Sequence, residues 1–130
     1  MIIFSLIVLI IIGNMIYAYQ CIFQTRKYIE KYGFGQGSAI MTRLVGTFAA
    51  GFAVTLAIAL LTSIEGAWLI FFYGSVQACI GAVVCFQTIH SNWGSVDGVK
   101  TSVEGYIAPV IIAFLNLMVL VTVWDFLFKI

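Results

Sequence analysis

The stretch from Ala67 to His90 is long and apolar enough to cross a lipid bilayer, and it constrains the fold more than any other part of the chain. The hydrocarbon core of a bilayer requires about 20 residues of α-helix, at about 1.5 Å of rise per residue. Charged residues make up 8% of the chain and hydrophobic residues 63%, whereas roughly a quarter of the residues in a soluble domain are charged. Because so few charges could not cover a water-soluble surface, the sequence predicts an integral membrane protein.

Three further apolar segments have a similar length. We predict one all-α domain over residues 1–130, folded as a compact bundle of four transmembrane helices at about 2–23, 43–63, 67–90 and 106–128. Only the segment Ser63–Gly66, which begins at the last residue of the second span, leads to the third span, and this predicts a tight antiparallel hairpin. The segment between the first two spans is predicted as a loop, and Gly105 and Pro109 predict a break or a kink before the last span.

Lysine and arginine are distributed unequally among the connections. The first and third connections contain five basic residues and the second contains none; they are Arg26, Lys27, Lys31, Arg43 and Lys100. Since basic residues are enriched on the cytoplasmic side, both termini are predicted to lie outside, although Lys129 is near the C-terminus. We expect a multi-pass protein of a bacterial or organellar inner membrane. The net charge of +1 provides no basic field for nucleic acid.

Small residues recur at helical spacing on two neighbouring spans. They are Gly46, Ala49, Ala53 and Ala57 on the second span, and Gly74, Ala78, Gly81 and Ala82 on the third. Small side chains allow transmembrane helices to approach closely. The pattern therefore predicts that spans two and three pack against each other through these two faces.

A neutral polar residue lies near the midpoint of each predicted span. These residues are Asn14, Thr55, Gln77 and Asn116. One interpretation of this mid-membrane polar layer is hydrogen bonding between helices, which would set their register. The other is a polar pocket or pathway. We prefer the first, because no ionisable residue joins the layer and membrane transport sites commonly need one.

The sequence shows no constellation of residues typical of catalysis or cofactor binding. It has no nucleophile with a base and an orienting group, and its three cysteines, Cys21, Cys79 and Cys85, form no CxxC motif. We predict no catalytic or metal residue and no evident cofactor, which favours a role other than an enzyme. Whether His90, Glu65 or Asp125 binds a ligand stays open at this point.

Two functions are compatible with this pattern. The leading hypothesis is a structural or accessory small subunit of a larger integral membrane complex, which packs against partner transmembrane helices and lipid. The alternative is a homo-oligomeric small channel or transporter that uses the mid-membrane polar layer. In both cases the expected partners are membrane lipids and other integral membrane subunits or further copies of the chain, and not nucleic acid.

Overall fold

The computed structural model describes residues 2–90, 103–122 and 124–127, and these residues are helical apart from short connections. The helices are α1 (Ile2–Ile22), α2 (Thr25–Tyr32), α3 (Ala39–Thr62), α4 (Trp68–His90), α5 (Glu104–Thr122) and α6 (Trp124–Leu127), with a 3-10 turn at Gln36–Ser38. Four of them, α1, α3, α4 and α5, are long and apolar enough to cross a membrane, which supports a multi-pass helical membrane protein. Lys100, Lys129 and the predicted end of the last span at 128 lie outside the described residues.

The segment predicted as a loop between the first two spans contains the eight-residue helix α2, so that prediction is wrong. Its charged residues suggested a loop, but they lie on its exposed side while Ile29 is buried. Gly33 ends the helix in the left-handed conformation at φ 67°, and the N–H of Phe34 donates to the carbonyl of Ile29 at 3.0 Å. The following long helix, α3, begins at Ala39, earlier than the predicted 43.

Of the predicted break or kink before the last span, the break is wrong, because α5 runs through Gly105 and Pro109. Pro109 lies in the second turn of this helix, where its ring removes a single backbone hydrogen bond close to the helix start. A side chain at Gly105 would place its Cβ 3.1 Å from Cδ1 of Ile89 on α4. Glycine at this position therefore lets the start of α5 approach α4 closely.

The four long helices associate mainly as two pairs. The first helix, α1, packs along α3, and α4 packs along α5, whereas α1 and α5 touch over a shorter length. Although only residues 63–67 connect them, α3 and α4 make few contacts. The prediction that spans two and three pack together through their small faces is therefore wrong: each span packs chiefly against a different helix.

Side chains from all four long helices meet in one buried cluster. Its fully buried members include Ile7 and Ile10 of α1, Leu56 of α3, Phe71 of α4 and Val119 of α5. The cluster lies towards the end of the molecule that carries the short connection between α3 and α4. In that connection Gly66 is left-handed at φ 72°, and the N–H of Ala67 donates to the carbonyl of Ile64 at 3.1 Å.

Candidate functional site

The small residues of α3 and α4 lie in helix contacts, but the partner helices differ from those predicted. All eight predicted packing residues are buried or half-buried. At Gly46, an added Cβ would lie 2.7 Å from Cβ of Cys21 and 2.8 Å from Cγ1 of Ile22, so α3 meets α1 there. At Gly81, an added Cβ would lie 3.8 Å from Cβ of Pro109, so the small face of α4 is directed towards α5.

Gly74 is the point at which three helices converge. An added Cβ would lie 2.6 Å from Cζ of Phe52 on α3 and 2.8 Å from Oδ1 of Asn116 on α5. Gly74 and the adjacent Ser75 are buried, and the Ser75 hydroxyl donates to the carbonyl of Phe71 at 2.8 Å. The absence of a side chain at Gly74 thus provides the space that the Phe52 ring and the Asn116 carboxamide occupy.

The carboxamide of Asn116 is completely buried, and only one of its two ends is paired. Its Nδ2 donates to the carbonyl of Ile112 at 2.8 Å, which identifies the nitrogen, since a carbonyl oxygen can only accept. The other end, Oδ1, faces Gly74 and accepts no hydrogen bond from any described residue. A buried amide oxygen without a partner destabilises a fold by about 1–3 kcal/mol.

The four predicted members of the mid-membrane polar layer do not share one environment. Asn116 is buried and Asn14 half-buried, whereas Thr55 and Gln77 are exposed. Asn14 donates to the carbonyl of Ile10 at 2.9 Å and Thr55 to that of Gly51 at 2.8 Å, so their bonds, like that of Asn116, stay within their own helices. The expectation that hydrogen bonds join this layer between helices is therefore not met within the part of the chain that the structure describes.

A groove of about 430 Å³ lies between α3 and α4. It is lined by Thr47, Phe48, Gly51, Phe52 and Thr55 of α3 and by Leu69, Ile70 and Tyr73 of α4. The rings of Phe52 and Tyr73 meet across it, with centroids 6.3 Å apart. Phe52 thus lines the groove and also reaches Gly74, where the buried carboxamide of Asn116 lies.

The groove has a small-residue face of its own, which the sequence analysis missed. Thr47, Gly51 and Thr55 are spaced four residues apart on α3, and this spacing was the signal that could have revealed them. An added Cβ at Gly51 would meet nothing within 4 Å. At 3.6 residues per turn, Gln77 lies within about 40° of Tyr73 around α4, so its exposed amide continues the face that lines the groove.

The opposite end of the molecule combines aromatic and charged side chains around α2. Nζ of Lys31 donates to Oε2 of Glu104 at 3.0 Å, and the Tyr32 hydroxyl donates to the same oxygen at 3.2 Å. These bonds attach α2 to the start of α5. The hydrogen bond with Glu104 raises the pKa of Lys31, and burial raises the pKa of Tyr28, so the Tyr28 phenol stays neutral at physiological pH.

The three residues for which ligand binding stayed undecided are all exposed, namely His90, Glu65 and Asp125. His90 stacks on Phe86 with a centroid separation of 4.2 Å, and has its Nδ1 3.0 Å from the Phe86 carbonyl. No group of three or more His, Cys, Asp or Glu side chains that could hold a metal ion occurs among the described residues.

Comparisons with protein-family models, with curated proteins and with solved structures found no match for this chain. Its function therefore has to be inferred from its geometry. Three features stand out in the described part of the chain. They are the open groove between the apolar helices α3 and α4, the exposed amide of Gln77 that continues one wall of this groove, and the buried amide of Asn116.

Proposed function

We propose that this chain is a structural or accessory subunit of a larger integral membrane complex, and that the groove between α3 and α4 receives a transmembrane helix of a partner subunit. The observation that carries the proposal is the exposure of Gln77 near the middle of α4. An amide without a hydrogen-bond partner in hydrocarbon is unfavourable by about 2 kcal/mol or more. A partner helix that covers Gln77 could supply the missing donor and acceptor.

The shape and lining of the groove fit a helix as its occupant. Small residues allow close approach between helix backbones, and Thr47, Gly51 and Thr55 present such a face on α3. Leu69 and Tyr73 form the opposite wall and are exposed, so they provide apolar and aromatic surface for contact. Association of this kind depends on packing and hydrogen bonds, because lipid is as apolar as the helix surfaces themselves.

The proposal includes a compact bundle of four spans with both termini on the outer side. The buried cluster that draws side chains from all four long helices supports the bundle. The orientation is supported by Arg26, Lys27 and Lys31 between α1 and α3 and by Arg43 in the second turn of α3, because the short connection between α3 and α4 contains no basic residue. A cysteine introduced at Gly37, in a chain that lacks its natural cysteines, is expected to react only with reagent on the cytoplasmic side, or its equivalent in an organelle. Reaction only from the outer side would reverse the orientation.

The association is tested by substituting the exposed amide. Gln77→Leu is expected to leave the unfolding of the purified chain in detergent nearly unchanged, because Gln77 is exposed and forms no hydrogen bond or ion pair within the described residues. In native membranes solubilised with mild detergent, the wild-type chain should migrate with a particle much larger than itself, and Gln77→Leu should release it. Gln87→Leu is the matched control, since Gln87 is an exposed amide of the same helix near its end, where lipid headgroups and water are available.

A photoreactive residue identifies the occupant of the groove. Placed at Leu69 in the groove wall, it should cross-link to a different polypeptide, whereas at Val121, an exposed residue of α5, it should not. A cross-link to a second copy of the chain would instead favour the homo-oligomeric channel or transporter, in which amides from several copies could meet. Migration of the wild-type chain alone, with only lipid cross-linked at Leu69, would overturn the proposal.

A further inference from the structure

A second recess, of about 140 Å³, lies where the chain leaves α1 and enters α2. It is lined by Gln20, Gln24, Lys27, Tyr28 and Lys31. Since a water molecule occupies about 30 Å³ in the liquid, this volume has room for a small polar group such as a phosphate. The lining contains two ammonium groups, two carboxamides and a phenol, and no carboxylate.

The hydrogen-bond donors of this recess are largely uncommitted. Within the described residues, the side chains of Gln20, Gln24 and Lys27 form no hydrogen bond or ion pair. Lys31 is held at the rim by Glu104, and its Nζ lies 4.9 Å from the centroid of the Tyr32 ring. Because Glu104 already balances the charge of Lys31, the unbalanced positive charge of the recess belongs to Lys27.

The recess lies at the level expected for lipid headgroups. It follows the last turn of the spanning helix α1, and α2 is amphipathic, with Ile29 buried and its charged residues exposed. The Tyr17 and Tyr28 rings meet edge to face with centroids 6.2 Å apart, as suits aromatic side chains at a membrane interface. Positively charged segments beside a span attract the anionic lipids of the cytoplasmic leaflet.

We propose that this recess binds the phosphate of an anionic phospholipid headgroup. Phosphate oxygens only accept hydrogen bonds. The Lys27 ammonium and the amides of Gln20 and Gln24 supply donors that no carboxylate among the described residues engages, whereas Lys31 is shared with Glu104. A free inorganic phosphate would meet the same donors, but a lipid is also held by its acyl chains along the apolar surface of α1. This site is separate from the groove between α3 and α4, so it does not depend on the function proposed above.

Native mass spectrometry of the purified chain tests the site. In micelles that contain equal amounts of phosphatidylglycerol and phosphatidylcholine, the chain should retain phosphatidylglycerol preferentially. Lys27→Gln should lower this preference about fivefold, which corresponds to one lysine at a membrane surface. Gln24→Leu, which changes no charge, should lower it as well. Arg26→Gln is the matched control, because Arg26 is next to Lys27 but pairs with Glu30 at 3.4 Å and does not line the recess.

The outcomes distinguish a specific binding site in the recess from a general electrostatic attraction of anionic lipid to α2. Equal losses for Lys27→Gln and Arg26→Gln, with no effect of Gln24→Leu, would show that only the net charge of α2 matters and would overturn the site. Retention of both lipids in equal amounts would do the same. Millimolar inorganic phosphate should not displace the lipid from the wild-type chain; if it does, the recess binds free phosphate instead. Unchanged helicity by circular dichroism is expected for all three variants, since Lys27 and Arg26 are exposed and Gln24 lies between helices.

Discussion

Gly46 and Gly51 lie on the same helix, α3, yet they lie in opposite kinds of surroundings. Gly46 is buried against α1, where an added Cβ would lie 2.7 Å from Cβ of Cys21. Gly51 is exposed in the groove, and an added Cβ would meet nothing within 4 Å. The contact between α1 and α3 is therefore closed around its glycine, whereas the contact between α3 and α4 is open around its own.

This difference shows what a small-residue pattern means in a membrane. Small residues allow a helix to approach closely, but they do not specify which helix approaches. In a soluble protein the polar face of a helix marks its outer side, whereas α3, beyond Arg43 in its second turn, has only apolar, small and threonine side chains and gives no such mark. The closed contact stabilises the fold of this chain, and the open one is where we propose that a partner helix binds.

The largest effect is expected from closing the space at Gly46. Gly46→Ala should lower the free energy of unfolding by about 2 kcal/mol, because overpacking usually destabilises by about 1–3 kcal/mol. The nearest atom is Cβ of Cys21, which cannot rotate away from its backbone, so α1 and α3 must separate. Reversible unfolding in mixed detergent micelles measures the change. A Gly46→Ala protein as stable as wild type would show that the contact between α1 and α3 is not closed.

A somewhat smaller effect is expected at Gly74, where the neighbouring groups can move. Gly74→Ala should lower the free energy of unfolding by about 1.5 kcal/mol, because its Cβ meets the Phe52 ring and the Asn116 carboxamide. Both are ends of side chains, and Phe52 can turn into the open groove. Gly81→Ala is the control, since its Cβ would lie at an ordinary 3.8 Å from Pro109. Equal losses for the two variants in the same unfolding assay would contradict the assignment of Gly74 as the point of convergence.

The spans and the short connection between α3 and α4 could be predicted because hydrophobic length and helix breakers are local properties of the sequence. The helix α2 was missed because its single buried residue, Ile29, is surrounded by charges that suggested a loop. The partners of Gly46 and Gly74 could not be predicted, since they depend on how four similar apolar helices are arranged. Likewise, the sequence places Asn116 and Gln77 near the middle of their helices, but the burial of one and the exposure of the other could not be predicted from it.

Replacing Asn116, which is buried next to Gly74, tests whether its amide destabilises the fold. Asn116→Leu keeps a branched side chain but removes the oxygen that has no partner among the described residues. The variant should be more stable by about 1 kcal/mol, because folding no longer buries an acceptor that loses its hydrogen bonds to water without gaining another. Thermal unfolding in detergent compares it with wild type. A loss of stability would show that the oxygen accepts a hydrogen bond in the folded protein, from bound water or from a ligand.

The smallest effect on stability is expected at Gly51. Substitution there also tests most directly whether a partner helix occupies the open side of α3. In the isolated chain Gly51→Ala should raise the free energy of unfolding by about 0.5 kcal/mol, because alanine favours a helix over glycine and its Cβ meets no neighbour. In native membranes the same Cβ would stand between α3 and a helix seated in the groove, so the variant should co-migrate less with the larger particle while it melts slightly higher. A gain in stability together with a loss of co-migration would distinguish a groove that a partner helix occupies from one that is empty. If Gly51→Ala gains stability and its co-migration is unchanged, the partner does not contact Gly51, and the open side of α3 faces lipid instead.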